Sequence, residues 1–359
     1  MRVLIDIGHP AHVHLFKNFA WAMQNKGNDI FFTCREKEYE IYLLEHYGFQ
    51  YKSFGKKYLS DIGKLWGLIE FGIKEFMQGL SFNPDIFLSH GSIYAAHAAW
   101  LLSKPHISLE DTGNWEQIRL YLPFTDVVLT PDVMPNKYGD KQISYAGYHE
   151  LAYLHPNWFK SNGKITDYLP VKKNEKYAIL RFVSWRATHD KGFEGLTDDN
   201  KIKVVTEFSK YAKVFISTEN DVCPELESYK IKIPPEKMHI VLANAIIFYG
   251  ESATMSSESA VLGTPAIYID KIGRCYTDDE EKYGLVYNFK NTLSDQNRSI
   301  EKGIELLNDI NRKQNDKKYK QNILRDKIDV TAFLVWFIEY FPESFKIMKE
   351  NPDYQYNFK

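Results

Sequence analysis

Residues 250–270, GESATMSSESAVLGTPAIYID, have the pattern of a turn, a short helix and a strand. The apolar run at 245–249 just before them is typical of a buried strand. Ser252 and the hydroxyl residues after it favour a helix N-terminus. Gly263-Thr264-Pro265 predicts the end of the helix, because glycine fits that position and proline cannot continue the helix. With a second strand at 266–269, the stretch predicts a β-α-β unit.

The predicted start of this helix suits an anionic ligand. Amide groups at a helix N-terminus, with hydroxyl groups beside them, bind phosphate or diphosphate. We therefore predict that Ser252, Ala253, Thr254 and Ser256 bind such a ligand. Glu258, about one turn further along, is placed to accept hydrogen bonds from ribose hydroxyls. The alternative is an ordinary helix cap in a β-α-β unit.

The spacing of Ser252, Glu258 and Leu262-Gly263-Thr264-Pro265 resembles the nucleotide-sugar motif in the C-terminal domain of GT-B-fold proteins. UDP-N-acetylglucosamine 2-epimerases have Ser-Gly-Gly-x-x-Glu-Glu-Ala-x-x-Leu-Gly-x-Pro there, and the lipid II-forming N-acetylglucosaminyltransferase has a related segment. Here Ala253-Thr254 replaces the epimerase Gly-Gly pair. Over residues 1 to about 340, the chain looks closest to an uncharacterised prokaryotic family of predicted glycosyltransferases in this superfamily.

This resemblance implies an α/β chain with the GT-B fold, in which two Rossmann-like, doubly wound domains face a cleft and a C-terminal helix crosses back to the first domain. Residues 1–165 are expected to form the acceptor or catalytic domain, 174–340 the nucleotide-sugar-binding domain and 341–359 a tail. Residues 126–130 are expected to be the last strand of the first domain, followed by a polar linker to about residue 173. Residues 353–359 are expected to fray.

The composition is that of a globular protein long enough for two domains, with 359 residues, 44% hydrophobic and 26% charged. A net charge of −2 gives no support to a nucleic-acid-binding function. Three scattered cysteines, Cys34, Cys223 and Cys275, argue against a disulfide scaffold and a zinc site. The N-terminus lacks the apolar region of a signal peptide, and no run of about 18 apolar residues occurs. We therefore expect a cytoplasmic protein.

Three histidines occur where the first predicted strand, 3–7, leads into the helix predicted at 13–26. That loop lies at the carboxyl edge of a parallel sheet, where doubly wound folds bind ligands, and histidine is the commonest general base. His12-Val13 resembles the Gly-His-Val of the lipid II-forming enzyme. We predict that His12 or His9 is catalytic and that Gly8 borders the substrate. Helix capping, core packing and a His-x-His metal site are the alternatives.

A second group of polar residues, Ser92, Glu110 and Asp111, follows the strands predicted at 86–89 and 106–109. The region resembles the epimerase pattern of Gly-Asp, Glu-Ala-Gly and Glu-x-x-x-Arg, but Ser92 stands where epimerases have the aspartate. Because a 2-epimerase needs such groups to remove and return a proton, this departure counts against epimerisation. We predict that Glu110 is catalytic and that Ser92 and Asp111 bind substrate. A turn role for Asp111 is the alternative.

The loop after Arg181 corresponds in position to the loop with which GT-B proteins contact the diphosphate. Arg181 and Arg186 are predicted to neutralise phosphate charge, and His189 to donate a hydrogen bond. Glu219, at the end of the next strand, is a further binding candidate. The alternative is surface charge on a loop.

Residues 65–80, LWGLIEFGIKEFMQGL, predict an amphipathic helix with bulky apolar residues. Packing in the core is one interpretation. The other is a surface that faces the membrane or the acceptor, as in glycosyltransferases that use lipid-linked acceptors.

These features predict a glycosyltransferase that moves a sugar from a nucleoside-diphosphate sugar, UDP-linked by resemblance, to an acceptor in polysaccharide or glycoconjugate synthesis. No cofactor and no metal is expected, because no Asp-x-Asp motif occurs in a metal-binding context. The acceptor is left open, with a lipid-linked acceptor and peripheral membrane contact as one option. The alternatives are a UDP-N-acetylglucosamine 2-epimerase-like epimerase or hydrolase, and a non-catalytic nucleotide-sugar-binding subunit.

Overall fold

The computed structural model describes residues 1–58, 60–135, 137–183, 195–218 and 221–359. The chain divides into two compact units. Unit 1 comprises Met1–Trp158 and Lys327–Lys359, and unit 2 comprises Phe159–Asp326.

The described residues form twelve β-strands, which pair in parallel in both units. In chain order they are β1 (Arg2–Ile7), β2 (Asp29–Glu36), β3 (Tyr51–Lys56), β4 (Ile86–His90), β5 (His106–Leu109), β6 (Val127–Pro131), β7 (Gln142–Tyr145), β8 (Tyr177–Phe182), β9 (Lys213–Thr218), β10 (Ile247–Gly250), β11 (Ala266–Ile269) and β12 (Val286–Phe289).

The described residues also form fourteen α-helices, several of which begin at a Ser, Thr or Asp whose side chain accepts a backbone N–H of the first turn. They are α1 (Pro10–Asn25), α2 (Glu40–His46), α3 (Asp61–Phe82), α4 (Ile93–Leu101), α5 (Trp115–Tyr121), α6 (Leu151–Leu154), α7 (Asp198–Phe208), α8 (Met238–Asn244), α9 (Ala253–Leu262), α10 (Cys275–Lys282), α11 (Leu293–Asn308), α12 (Arg312–Asp326), α13 (Val330–Glu339) and α14 (Glu343–Glu350).

Unit 1 is built on a seven-stranded sheet in the order β3-β2-β1-β4-β5-β6-β7. The central strands are buried along almost their whole length, as expected for a parallel sheet covered on both faces. The strand order reverses between β1 and β4, and Asp6 pairs with Ser89 near the carboxyl ends of these two strands. The loops after β1 and β4 therefore lie side by side at the switch point, where such folds bind ligands.

Unit 2 is built on a five-stranded sheet in the order β12-β11-β10-β8-β9. Its switch point lies between β8 and β10, where Gly250 pairs with Arg181. The helix predicted after the strand at 245–249 is α9, and the predicted strand at 266–269 is β11. Gly263 ends α9 with a φ of 86°, a left-handed conformation that favours glycine.

The prediction that residues 126–130 form the last strand of the first domain is wrong. β7 follows and pairs with β6, so residues 142–145 belong to the sheet and not to a linker. β7 has only four residues, two of them polar, and lies at the edge of the sheet, so its sequence lacks the apolar run that marks the central strands.

The C-terminal segment packs in unit 1, which confirms the predicted helix that crosses back to the first domain. Thr331 at the start of α13 donates to the carbonyl of Ala152, which also accepts from Asn18 of α1. Residues 327–340, which were predicted to belong to the second domain, thus group with unit 1. The tail is ordered: α14 and a 3-10 segment at Pro352–Phe358 follow, and buried Gln355 accepts the amide of Ala146. The expectation that residues 353–359 fray is therefore wrong.

Candidate functional site

The loop after β1 places two of the three predicted histidines at the start of α1. His9 is the N-cap residue, and its Nδ1 accepts the amide of Ala11 at 3.2 Å. His12 Nδ1 accepts the amide of Gly8 at 3.3 Å. A ring nitrogen that accepts an N–H holds a lone pair, so in each neutral ring the proton is on Nε2. Nε2 of His12 is therefore an N–H donor, whereas Nε2 of His9 lies 4.0 Å from a carboxylate oxygen of Glu38.

The environment keeps His12 neutral. Burial lowers the pKa of His12 well below its usual value, and the neighbouring His90 lowers it further. The two rings are in contact, with centroids 4.5 Å apart. A neutral imidazole with its proton on Nε2 is a hydrogen-bond donor, so the geometry favours a donor role for His12 over the predicted role of base.

Asp111 lies between two histidines that were not among the predicted site residues. Its Oδ1 is 3.0 Å from His90 Nε2, and its Oδ2 is 3.0 Å from His149 Nδ1. Burial alone raises the pKa of Asp111, but the charge and hydrogen bonds of His149 and His90 outweigh it and hold that pKa well below its usual value. Burial likewise lowers the pKa of His90, but the hydrogen bond and charge of Asp111 prevail and raise it. The end of β4 and the loops after β5 and β7 thus hold an ionised carboxylate between two imidazoles.

Glu110, predicted to be catalytic, is engaged in holding its own loop. Oε1 accepts from the Thr112 amide, the Thr112 hydroxyl and the Gly113 amide at 2.6–3.0 Å, and Oε2 accepts from Tyr121 at 2.7 Å. The side chain is almost completely buried. These contacts fix the backbone next to Asp111, which makes Glu110 a positioning residue in this arrangement.

Ser92 is the N-cap of α4, where its hydroxyl accepts the amide of Ala95 and donates to Asp6. Asp6 is fully buried, forms an ion pair with Arg35 and accepts from Thr33 at 2.9 Å. A Cβ at Gly8 would lie 3.1 Å from the Arg35 guanidinium, so this charged pair lies directly beneath the histidine loop. Gly8 and Ser92, which were predicted to bind substrate, therefore lie next to the buried ion pair of Asp6 and Arg35.

In unit 2, the start of α9 has the predicted form. Ser252 is its N-cap, and the Ser252 hydroxyl accepts the amide of Met255 at 3.3 Å. Helix geometry leaves the amides of Ala253 and Thr254 outside the hydrogen-bond ladder of α9, so they can donate to an anion at this end of the helix. Ser256 differs from the others: it is fully buried and its hydroxyl donates to the Ser252 carbonyl at 2.9 Å. The helical period turns Ser256 inward, which does not suit its predicted role in binding.

Glu258 is buried on α9 and is 2.9 Å from Nε2 of His239 on α8. His239 is itself almost completely buried. Because a buried carboxylate is costly without a partner, the pair fixes the orientation of Glu258. His239 was not selected from the sequence, since nothing in the run 238–242 marks it as a partner of a glutamate 19 residues later.

Glu251, the residue directly before the α9 cap, holds both ends of the loop after β8. Its Oε2 accepts the amide of Val183 at 3.1 Å and its Oε1 accepts the amide of Leu196 at 2.6 Å. Arg181, predicted to contact phosphate, is partly buried on β8 and donates to Ser217 at 3.2 Å. The other cations predicted there, Arg186 and His189, and the glutamate at 219 lie outside the described residues.

The sequence model of one protein family, described as a protein of unknown function, DUF354, matches residues 1–339. The chain belongs to the DUF354 family. This DUF354 protein is 24% identical over 300 residues to the uncharacterised protein MJ0665 of Methanocaldococcus jannaschii, an alignment that spans 74% of this chain and 80% of that protein.

Solved structures similar to this DUF354 protein include both epimerases and glycosyltransferases. A predicted UDP-N-acetylglucosamine 2-epimerase of Listeria monocytogenes has a TM-score of 0.71 at 13% identity, over 96% of this chain and 97% of that one. MnaA of S. aureus, solved with UDP, has a TM-score of 0.66 at 13% identity, over 96% and 97% of the chains. Spinosyn rhamnosyltransferase SpnG, complexed with spinosyn aglycone, has a TM-score of 0.58 at 11% identity, over 93% and 99%.

These similarities, together with the two parallel sheets, confirm the GT-B fold that the sequence resemblance implied for this DUF354 protein. At such identities they establish the fold and not the reaction. Among the described residues of the DUF354 protein, no helix combines the length and the apolar character needed to cross a membrane.

Proposed function

We propose that the protein is a glycosyltransferase that binds a nucleoside-diphosphate sugar in unit 2 and transfers the sugar to an acceptor. The observation that carries the proposal is the start of α9, at the switch point of a parallel sheet. There Ser252 caps the helix, Glu251 accepts the amide of Val183, and Glu258 is fixed by His239. The similarity to MnaA, solved with UDP, supports a UDP-linked donor.

The diphosphate and the ribose of the nucleoside-diphosphate sugar each have a proposed partner in unit 2. The diphosphate binds the amides of Ala253 and Thr254, where the helix dipole stabilises negative charge. Glu258, oriented by His239, accepts from the ribose hydroxyls. As the bond between the sugar and the diphosphate breaks, negative charge grows on the diphosphate. Hydrogen bonds to the diphosphate that strengthen in this transition state accelerate the transfer. In this scheme the departure of the diphosphate requires no metal ion.

Unit 1 supplies the acid–base groups in this proposal. In an inverting transfer, the acceptor hydroxyl attacks C1 of the sugar and loses its proton to a base. The histidine cluster around Asp111 is the proposed source of that base, and His12 Nε2–H is a donor to the sugar or the acceptor.

The reaction is tested by incubating the protein with UDP-N-acetylglucosamine in heavy water, with and without a lipid extract, and following the sugar by NMR. We expect no deuterium at C2 and transfer of the sugar only when the extract is present. Deuterium at C2 would show an epimerase and overturn the proposal. If UDP-N-acetylglucosamine binds but stays intact with every extract, the glycosyltransferase proposal is contradicted and the non-catalytic alternative is favoured.

The acceptor is proposed to be lipid-linked, with α3 in contact with a bilayer surface. Six large apolar side chains of α3 are each more than half exposed: Leu65, Trp66, Ile69, Ile73, Met77 and Leu80. At 100° per residue they occupy one stripe about 120° wide. The stripe contains no charged or polar side chain that would specify a protein partner, and such a surface suits the interfacial region of a membrane.

We expect the protein to sediment with lipid vesicles, and the double variant Ile69→Ser/Ile73→Ser to lose most of that binding. Each substitution removes an apolar contribution of about 1.5–3 kcal/mol when the side chain is buried in lipid. The matched control is Leu293→Ser, an exposed leucine of unit 2. Equal sedimentation of the double variant and the wild type would contradict the proposed membrane contact.

A further inference from the structure

Three potential metal-binding side chains of unit 1 converge from separate strands. His90 is the last residue of β4, Asp111 follows β5 by two residues, and His149 follows β7 by four. One donor atom from each lies within 4.8 Å of the other two. The side chains are well buried, with exposed fractions of 11% for His90, 16% for Asp111 and 7% for His149.

The loops that carry these side chains are fixed by their own hydrogen bonds. Gly91, next to His90, has a φ of 61°, and its amide donates to the Ser108 hydroxyl at 2.9 Å. The carbonyl of Gly91 accepts from Gln117. Glu110 holds the backbone that follows Asp111 through Thr112 and Gly113. The backbone next to His90 and Asp111 is thus held in place before any ligand binds, which lowers the cost of ordering these two side chains.

Two polar atoms beside the cluster also lack partners among the described residues. His149 Nε2 and the Tyr145 hydroxyl are buried and make no hydrogen bond there. The Tyr145 and His149 rings are stacked, with centroids 6.3 Å apart. Unpartnered buried polar atoms are rare and each needs an explanation, of which a ligand bound at the cluster is one.

We propose that His90, Asp111 and His149 bind one divalent transition-metal ion of the zinc or iron class. Two imidazoles and one carboxylate form a donor set that such ions prefer, whereas Mg²⁺ and Ca²⁺ prefer oxygen ligands. Bonds of about 2.0–2.2 Å place donors roughly 3.4 Å apart, so small side-chain rotations complete the geometry. Three protein ligands leave coordination positions open for water or a substrate oxygen.

Metal binding replaces hydrogen bonds that the cluster makes without the ion. Asp111 accepts from one nitrogen of each histidine, and coordination needs a lone pair on the donor nitrogen. Each histidine therefore binds as a neutral ring, and any surplus proton is released to solvent. The ion would lie in unit 1 and has no part in the proposed departure of the diphosphate in unit 2. A histidine nitrogen that binds the ion cannot also accept the acceptor proton, so the metal-free cluster is the form that supplies the proposed base. Binding of the ion is measured without any nucleotide sugar.

The test is a calorimetric titration of the chelator-treated full chain with Zn²⁺ and, for its absorption spectrum, with Co²⁺. We expect one ion per chain and a Co²⁺ spectrum with nitrogen ligands. His149→Ala and, separately, Asp111→Asn should each weaken binding more than about 100-fold, because even the loss of an outer partner costs 10–100-fold. A large excess of Mg²⁺ should not compete.

The matched control is His46→Ala, which removes an exposed histidine of α2 and should leave binding unchanged. Circular dichroism of each variant establishes that the chain keeps its wild-type secondary structure. If the wild type binds neither ion, if the two cluster variants bind as well as the wild type, or if Mg²⁺ competes, the proposal is overturned and the cluster is a hydrogen-bonded network only.

Discussion

Gly250→Ala is expected to destabilise unit 2 by about 3 kcal/mol or more, at the upper end of the cost of inserting an atom into a packed core. Gly250 ends β10 and pairs with Arg181 of β8. A Cβ there would overlap the Arg181 carbonyl oxygen and lie 2.9 Å from the Arg181 amide nitrogen. Both are backbone atoms of a central strand, so neither can rotate away. The substitution therefore pushes β8 and β10 apart. These strands lead into the loop after β8 and into the start of α9.

Hydrogen exchange read by mass spectrometry measures this effect in unit 2 alone. Peptides from β8 and β10 should exchange much faster in Gly250→Ala, while peptides from β1 and β4 should keep the wild-type rate. The matched control is Gly72→Ala in α3, where a Cβ would meet nothing within 4 Å. Because alanine is the better helix former, this variant should be neutral or more stable by up to about 1 kcal/mol. Wild-type exchange rates in Gly250→Ala would contradict the close approach of β8 and β10.

Asp6→Ala is expected to destabilise unit 1 by about 3–5 kcal/mol, the cost of removing one partner of a buried ion pair. Asp6 is fully buried and Arg35 is 4% exposed. Burial lowers the pKa of Arg35, but the charge and hydrogen bond of Asp6 outweigh it and keep the guanidinium ionised. Burial and the charge of Asp6 raise the pKa of the neighbouring Glu75 well above its usual value.

A double-mutant cycle in urea denaturation separates the ion pair from simple loss of packing. Arg35→Met alone should also be costly, whereas Asp6→Ala/Arg35→Met should cost less than the sum of the two, because no unpaired charge is left buried. The matched control is Asp29→Ala, which removes a surface pair with Arg2 whose aspartate side chain is 71% exposed and should change stability by less than about 1 kcal/mol. Strict additivity of the Asp6 and Arg35 effects would contradict the account.

Much of the fold follows from local patterns in the sequence. The predicted strands at 3–7, 86–89 and 106–109 are β1, β4 and β5, because buried parallel strands have continuous apolar runs that stand out from their surroundings. The cap and the terminating glycine of α9 were also predicted, since both depend on short-range backbone chemistry. β7 was missed because an edge strand buries less and needs no such run.

The candidate site was less predictable because its partners are distant in the chain. His90, Asp111 and His149 meet only because β4, β5 and β7 lie in one sheet, and no local spacing reveals that order. Glu110 matches the glutamate of the epimerase pattern in residue type. Its hydrogen bonds with Thr112, Gly113 and Tyr121, which give it a positioning role, are evident only from the structure.

The central claim, that unit 2 binds a nucleoside diphosphate through α9 and Glu258, is tested most directly by calorimetric titration with UDP. We predict binding to one site per chain and at least a 10-fold loss in Glu258→Gln, because a hydrogen bond to a charged group contributes about 1.5–3 kcal/mol. Glu227→Gln, which changes a half-exposed glutamate of the same unit, should bind like the wild type. No binding of UDP, GDP or dTDP by the wild type, or equal binding by both variants, would contradict the account.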